Sequence, residues 1–89
     1  MPQSLEVLIE RTSRGDREAF ATFYDLTVVP AWRLARLVEP DDEKAEELLV
    51  AAYLVAWTEA AGCPASGRPP LTWLLWLVQA TGRPGSGTR

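Results

Sequence analysis

The chain contains no histidine and a single cysteine, Cys63, among its 89 residues. Without histidine there is no Ser-His-Asp or Cys-His catalysis, and the usual zinc ligand sets cannot be assembled. One cysteine forms neither an internal disulfide nor a cysteine cluster, so a reducing compartment is the simplest setting. Basic residues are scarce as well: nine Lys and Arg stand against twelve Asp and Glu, for a net charge of −3. A free-standing nucleic-acid binder is expected to be basic. Nothing supplies a nucleophile–base pair or a metal site, so neither an enzyme nor a cofactor is expected. Long apolar runs are missing too. The two most apolar stretches, residues 48–57 and 71–78, are at most about half of the roughly 20 residues a spanning helix needs. Residues 1–10 lack the basic and apolar regions of a signal peptide. These absences together predict a soluble, cytoplasmic protein with no membrane association.

What is present is a globular composition, 47% hydrophobic and 24% charged, with enough apolar material for one small domain. Charge is unevenly placed. Residues 1–45 hold six basic and nine acidic side chains, and residues 46–89 hold three of each. After Glu59 there is no further acid, only Arg68, Arg83 and Arg89.

Helical signals dominate. Ser4 can cap a first helix whose apolar residues include Leu5, Leu8 and Ile9 and which ends near residues 13–15. Asp16 can cap a second, with Ala19, Phe20, Phe23, Tyr24 and Thr27 on one face. Pro30 is expected to break that helix and to open a third, carrying Trp32, Leu34, Ala35, Leu37 and Val38, because proline lacks a donor and crowds the preceding turn. Pro40, Asp41 and Asp42 make a turn and an N-cap for the next helix. Its first turns gather Asp42, Glu43, Glu46 and Glu47, where the helix dipole favours acid. It should run to about Ala61 and stop at Gly62. GCPASGRPP, residues 62–70, reads as a Pro/Gly loop. A last helix covers residues 71–81, and residues 82–89 read as a flexible tail. The fold expected is an all-α compact bundle of four to five helices in residues 1–81. Its core should hold Leu8, Phe20, Phe23, Trp32, Leu34 and Leu37 from the first half. Leu48, Ala52, Trp57, Trp73, Leu74 and Leu77 should complete it.

Three segments carry a resemblance. GDREAFATFYD, residues 15–25, is similar to G-D-x-x-A-F-x-x-L-Y-D. DDEKAEELLVAAYLVAW, residues 41–57, is similar to D-x-x-D-A-E-D-L-x-Q-E-x-F-x-x-x-W. Here Ala45, Glu46, Leu48, Leu54 and Trp57 match, and Glu47 and Tyr53 are close replacements. LTWLLWLVQA, residues 71–80, is similar to T/A-W-L-x-x-[IL]-A. In this order and spacing they resemble the region 2 domain of extracytoplasmic-function (ECF) sigma factors of the sigma-70 family, over residues 5–81.

The resemblance implies a helical domain that docks on the clamp coiled coil of core RNA polymerase. It also implies that the domain opens the promoter −10 element and captures a flipped base by stacking and charge. Carried over by position, the polymerase or partner face is Glu46, Glu47, Val50, Ala51 and Leu54. The promoter DNA face is Arg68, Thr72, Trp76 and Gln79, with residues 62–70 as the pocket. Two departures stand out. The family's Q-E pair falls on Val50 and Ala51, and the basic end of the last helix is replaced by Gly82, Arg83 and Pro84. The chain therefore reads as a truncated or degenerate region 2. The alternative is a sigma-like interaction domain without DNA binding, pairing with an anti-sigma protein, another sigma factor or itself as a homodimer.

Structural readings stand beside these. Trp73 and Trp76 are at core spacing as well as stacking spacing. The acids at 41–47 serve capping and dipole complementation as well as a partner. Arg11, Arg14 and Arg17 read as a solvated surface pairing with Glu10 and Glu18. Cys63 reads as an incidental thiol. The apolar run of residues 48–57 has no charged or strongly polar side chain, so its helix is either enclosed or presents an apolar patch to a partner.

Overall fold

A computed structural model describes residues 4–82 and builds them from helices and short turns. The helices are α1 (Leu5–Ser13), α2 (Arg17–Val38), α3 (Asp42–Thr58), α4 (Gly62–Ser66) and α5 (Pro70–Gly82). The expected all-α bundle is the observed fold. The expected tail lies largely in residues 83–89, outside the described residues.

Side-chain caps set the starts of the first three helices. The Ser4 hydroxyl accepts from the Val7 amide at 3.1 Å. Asp16 accepts from Ala19 at 3.1 Å and Asp41 from Lys44 at 3.0 Å. Each satisfies one of the amides that a helix start leaves without an intrahelical acceptor. The loop between α1 and α2 closes on Gly15, whose φ of +88° suits glycine. An Arg11–Asp16 ion pair at 2.8 Å closes it further. The Ala19 amide first, and the Arg11 guanidinium second, hold the Asp16 carboxyl below its usual range. Arg14 pairs with Glu10 at 2.7 Å, as expected.

Pro30 does not break the chain into two helices. α2 runs through it for 22 residues. Ala19, Phe23, Thr27, Ala31 and Ala35 recur every fourth residue and are buried on both sides of Pro30. Burial of one unbroken stripe outweighs the loss of one backbone hydrogen bond. The carbonyl that loses its donor belongs to Leu26, on the exposed side of the helix, where water can replace the missing partner. Leu37 is a second correction. It is 80% exposed and outside the core, because two positions beyond Ala35 lie on nearly the opposite face of a helix.

The expected loop at residues 62–70 also contains the short helix α4. Pro64 is tolerated because it sits in the first turn, where its amide would have no helical acceptor. Ser66 Oγ donates to the Cys63 carbonyl at 2.6 Å and accepts from the Arg68 amide at 3.1 Å. Gly67, at φ +76°, ends the helix in the left-handed conformation. Cys63 is buried. Burial, with the Glu6 charge second, pushes its thiol pKa up, which disfavours the reactive thiolate.

α2, α3 and α5 pack pairwise against one another, and α1 lies on α2. The core is unusually rich in alanine: Ala19, Ala31, Ala35, Ala45, Ala52 and Ala56 are all buried. Larger buried side chains, among them Leu8, Ile9, Phe23, Leu74 and Val78, fill the spaces between helices. Phe20, Trp32 and Leu34 pack against this core while partly buried, and Trp57 is likewise half-buried. The end of α5 is wedged against α2 and α3. A Cβ placed on Gly82 would stand 2.8 Å from Val38 Cγ1 and 2.9 Å from Leu48 Cδ2.

One buried polar contact ties α2 to α3. The hydroxyls of Thr27 and Tyr53 are 2.5 Å apart. Thr27 Oγ1 also donates to the Phe23 carbonyl at 2.8 Å. Its single proton is then committed, so Tyr53 is the donor in the contact between the two helices. Aromatic rings surround it, with Tyr24 at 4.7 Å and Phe20 at 6.1 Å between centroids. Burial pushes the Tyr53 phenol up to about 12, with the Thr27 hydroxyl partly offsetting the shift. A raised phenol pKa stabilises the fold while the group is protonated in both states. That contribution is complete below the unfolded value near 10 and is lost as pH rises toward 12. Denaturant titrations should therefore show stability falling between about pH 10 and 12. Tyr53→Phe should flatten that fall and cost about 1 kcal/mol at neutral pH. An unchanged alkaline profile in the variant would contradict the assignment.

Candidate functional site

The predicted partner residues lie together on the outer side of α3. Glu46, Val50 and Leu54 follow one another at steps of four, with Glu47 and Ala51 beside them. Val50 is 55% exposed and Leu54 61%, while Ala51 is half-buried. The apolar run of residues 48–57 is therefore not enclosed. Its inner side, Leu48, Leu49, Ala52, Tyr53 and Ala56, is core, and its outer side is an apolar patch bordered by carboxylates.

That patch continues onto α2, which sequence reasoning did not include. Phe20, Tyr24, Val28 and Trp32, again at steps of four, form one wall of a groove of about 860 Å³. Leu49, Val50, Tyr53 and Leu54 form much of the other. The signal in the sequence is a second i, i+4 stripe, obscured because Phe20 and Trp32 read as core and Pro30 reads as a break within it.

The groove is polar at one end and aromatic at the other, because α2 and α3 run antiparallel. Asp42, Glu43 and Glu46 line the end near Trp32. Asp42 pairs with Arg36 at 3.0 Å, and Arg36 also lies 5.8 Å from the Trp32 ring centroid. No ion pair is formed by Glu43 or Glu46 among the described residues. The acids at residues 41–47 thus divide their work. Asp41 caps, Asp42 pairs across the turn, and Glu43, Glu46 and Glu47 remain solvated.

The predicted DNA residues also come together. Thr72, Trp76 and Gln79 form an exposed strip along α5. Arg68 reaches it from the turn after α4, with its guanidinium carbon 4.9 Å from the Trp76 ring centroid. Trp76 is 45% exposed, whereas Trp73 is core. Beside this strip lies a second groove of about 480 Å³. Val55 comes from α3 and Glu59 from its C-cap, Ser66 and Arg68 from α4 and its turn, and Trp73 and Trp76 from α5. Among the described residues that line this groove, Arg68 is the single cation and Glu59 the single carboxylate.

Among the described residues no group of three His, Cys, Asp or Glu side chains could hold a metal ion. No helix among them is long and apolar enough to cross a membrane. The arrangement offers surfaces for association.

Comparison with known proteins supports the class suggested by the motifs. The chain is 38% identical over 74 residues to the ECF RNA polymerase sigma factor SigK of Mycobacterium ulcerans, covering 83% of this chain and 40% of that protein. It is 38% identical to the SigK of Mycolicibacterium vanbaalenii, covering 83% of this chain and 38% of that one. To the SigK of Mycobacterium tuberculosis H37Rv it is 32% identical over 78 residues, 88% of this chain and 42% of that one. No family model matches, and no solved structure matches significantly. These relatives are all ECF RNA polymerase sigma factors, and the all-helical fold is consistent with a fragment of one. The chain is thus similar to part of an ECF sigma factor, and it spans about 40% of the length of the curated relatives it matches.

The exposure of the α3 patch gives a direct check. Val50→Asp and Leu54→Asp should each leave the domain folded, with stability changed by no more than about 0.5 kcal/mol in denaturant titrations. Ala52→Asp, two residues from each but on the buried side of the helix, should abolish the cooperative transition. Unfolding by the first two would place those side chains in the core.

Proposed function

We propose that the chain is a sigma-70 region 2-like transcription-initiation module. It docks on the clamp coiled coil of core RNA polymerase through Glu46, Glu47, Val50, Ala51 and Leu54. It engages the promoter −10 element through Arg68, Thr72, Trp76 and Gln79. The observation that carries the docking half is the exposure of Val50 and Leu54 between unpaired carboxylates on a well-capped helix. Apolar side chains held in water on a rigid element gain free energy when a partner covers them. The rim carboxylates set orientation and favour a basic partner.

The DNA half is supported by the grouping of an exposed indole, a cation and two hydrogen-bonding side chains on one edge of α5. Base stacking on an aromatic ring is worth about 1–3 kcal/mol per base. The electrostatic share is small, since Arg68 is the only cation among these residues. The lost glutamine–glutamate pair at Val50 and Ala51 and the acidic balance make the module a weakened one.

A second reading is supported by the same apolar patch: a sigma-like interaction domain that binds an anti-sigma protein, another sigma factor or a second copy of itself, without DNA.

Purified protein should co-elute with core polymerase, and Glu47→Arg should abolish co-elution. No co-elution at micromolar protein sinks the docking claim. A −10-like single strand titrated at low salt should bind with a shallow salt dependence, a log–log slope of about −0.7 to −1.4, as for one or two phosphate contacts. Absence of strand binding with co-elution intact overturns the DNA half alone, and absence of both selects the second reading. Under that reading Val50→Asp or Leu54→Asp should also convert a self-associated protein to monomer.

A further inference from the structure

The contact between Arg68 and Trp76 bears on how the α5 edge would receive a base. Arg68 has a fixed backbone and an exposed side chain. Its amide donates to Ser66 Oγ, and it follows Gly67, whose left-handed φ turns the chain there. The side chain is exposed and makes no ion pair among the described residues. Its guanidinium instead rests over the indole, well inside the distance at which a cation is held by a ring quadrupole. A base stacking on that face would compete with the guanidinium for the same surface.

We propose that Arg68 is a built-in competitor for the Trp76 face, covering the ring until a nucleobase displaces it and then serving the strand's phosphate. This rests on the reading of α5 as a nucleic-acid face. An exposed cation–π contact weakens a competing ligand by about two- to fivefold. Base stacking on an aromatic ring is stronger, so a strand wins the competition. Glu59, in the same groove, gives the displacement a charge dependence. With Arg68 present the groove holds one charge of each sign among its described lining residues. Without Arg68 the carboxylate repels a phosphodiester and leaves an uncharged ligand unaffected.

The two contributions of Arg68 therefore have opposite signs, and backbone charge separates them. The probes are a single-stranded hexamer with natural phosphodiester linkages and the same sequence with uncharged methylphosphonate linkages, both titrated at low salt by fluorescence anisotropy. Arg68→Ala should bind the uncharged strand about two- to fivefold more tightly than the unsubstituted protein. It should bind the natural strand more weakly. Arg68→Lys, which keeps the charge on a less planar group, should restore natural-strand binding. An unchanged or weakened affinity of Arg68→Ala for the uncharged strand overturns the competition. Trp76→Leu should weaken both strands. If it changes neither, or if the unsubstituted protein binds neither strand, the reading of α5 as a nucleic-acid face fails and the competition with it. Far-UV circular dichroism confirms that each variant is folded.

Discussion

Where α2 meets α3, a buried polar contact among small and aromatic side chains fixes how the two helices slide. Ala31, Ala35, Ala52 and Ala56 are buried in the core, and the Tyr53 hydroxyl reaches across to Thr27. A hydroxyl pair among aromatic rings has few satisfactory positions, because an unpaired buried hydroxyl is costly. Alanine stripes alone would tolerate a shift of one helical turn. The hydrogen bond does not. The register it selects sets Phe20, Tyr24, Val28 and Trp32 opposite Leu49, Val50, Tyr53 and Leu54, and so creates the long groove. The same pairing forms the bed on which α5 lies, and the Gly82 contact with Val38 and Leu48 depends on it.

Local chemistry was largely legible from the chain. Ser4, Asp16 and Asp41 cap where their side chains predict, since an N-cap needs only a short acceptor before an apolar period. The apolar run of α3 was legible as either an enclosed helix or a partner patch, and the exposure of Val50 and Leu54 decides for the patch. What was not legible depended on tertiary balance. Pro30 breaks a helix in isolation, but here the burial of Phe23 and Thr27 before it and Ala31 and Ala35 after it outweighs one hydrogen bond. Leu37 follows the apolar count yet misses the buried angle. The α4 turn forms from glycine, proline and serine, residues that singly argue against helix. The α2 wall of the groove was hidden because its aromatic side chains read as core, and several are core on one side and groove on the other.

The two candidate faces share a scaffold but not a chemistry. On α3 and α2, apolar and aromatic surface meets unpaired carboxylates, which suits association with a folded, basic partner. On the α5 edge, one indole, one guanidinium and small polar groups suit a flat ligand and little charge. α3 links them, since Val50 and Leu54 lie on one groove and Val55 and Glu59 on the other. A partner that ordered α3 would thus act on both. The chain's acidity has a place on the first face, where Glu43, Glu46 and Glu47 are solvated, and is nearly absent from the second.

The alanine core also bears on how such a domain can diverge. Most small cores are fixed by bulk, and exchange of one large side chain for another is accommodated by neighbours. Here several interior positions act as spacers whose useful property is smallness. Any enlargement at Ala31, Ala35, Ala52 or Ala56 would push helices apart along their whole length. Sequence change is thereby channelled to the outside, where Val50, Leu54, Arg68 and Trp76 can vary without disturbing the interior. Distant relatives could keep this skeleton while exchanging the partners their surfaces recognise.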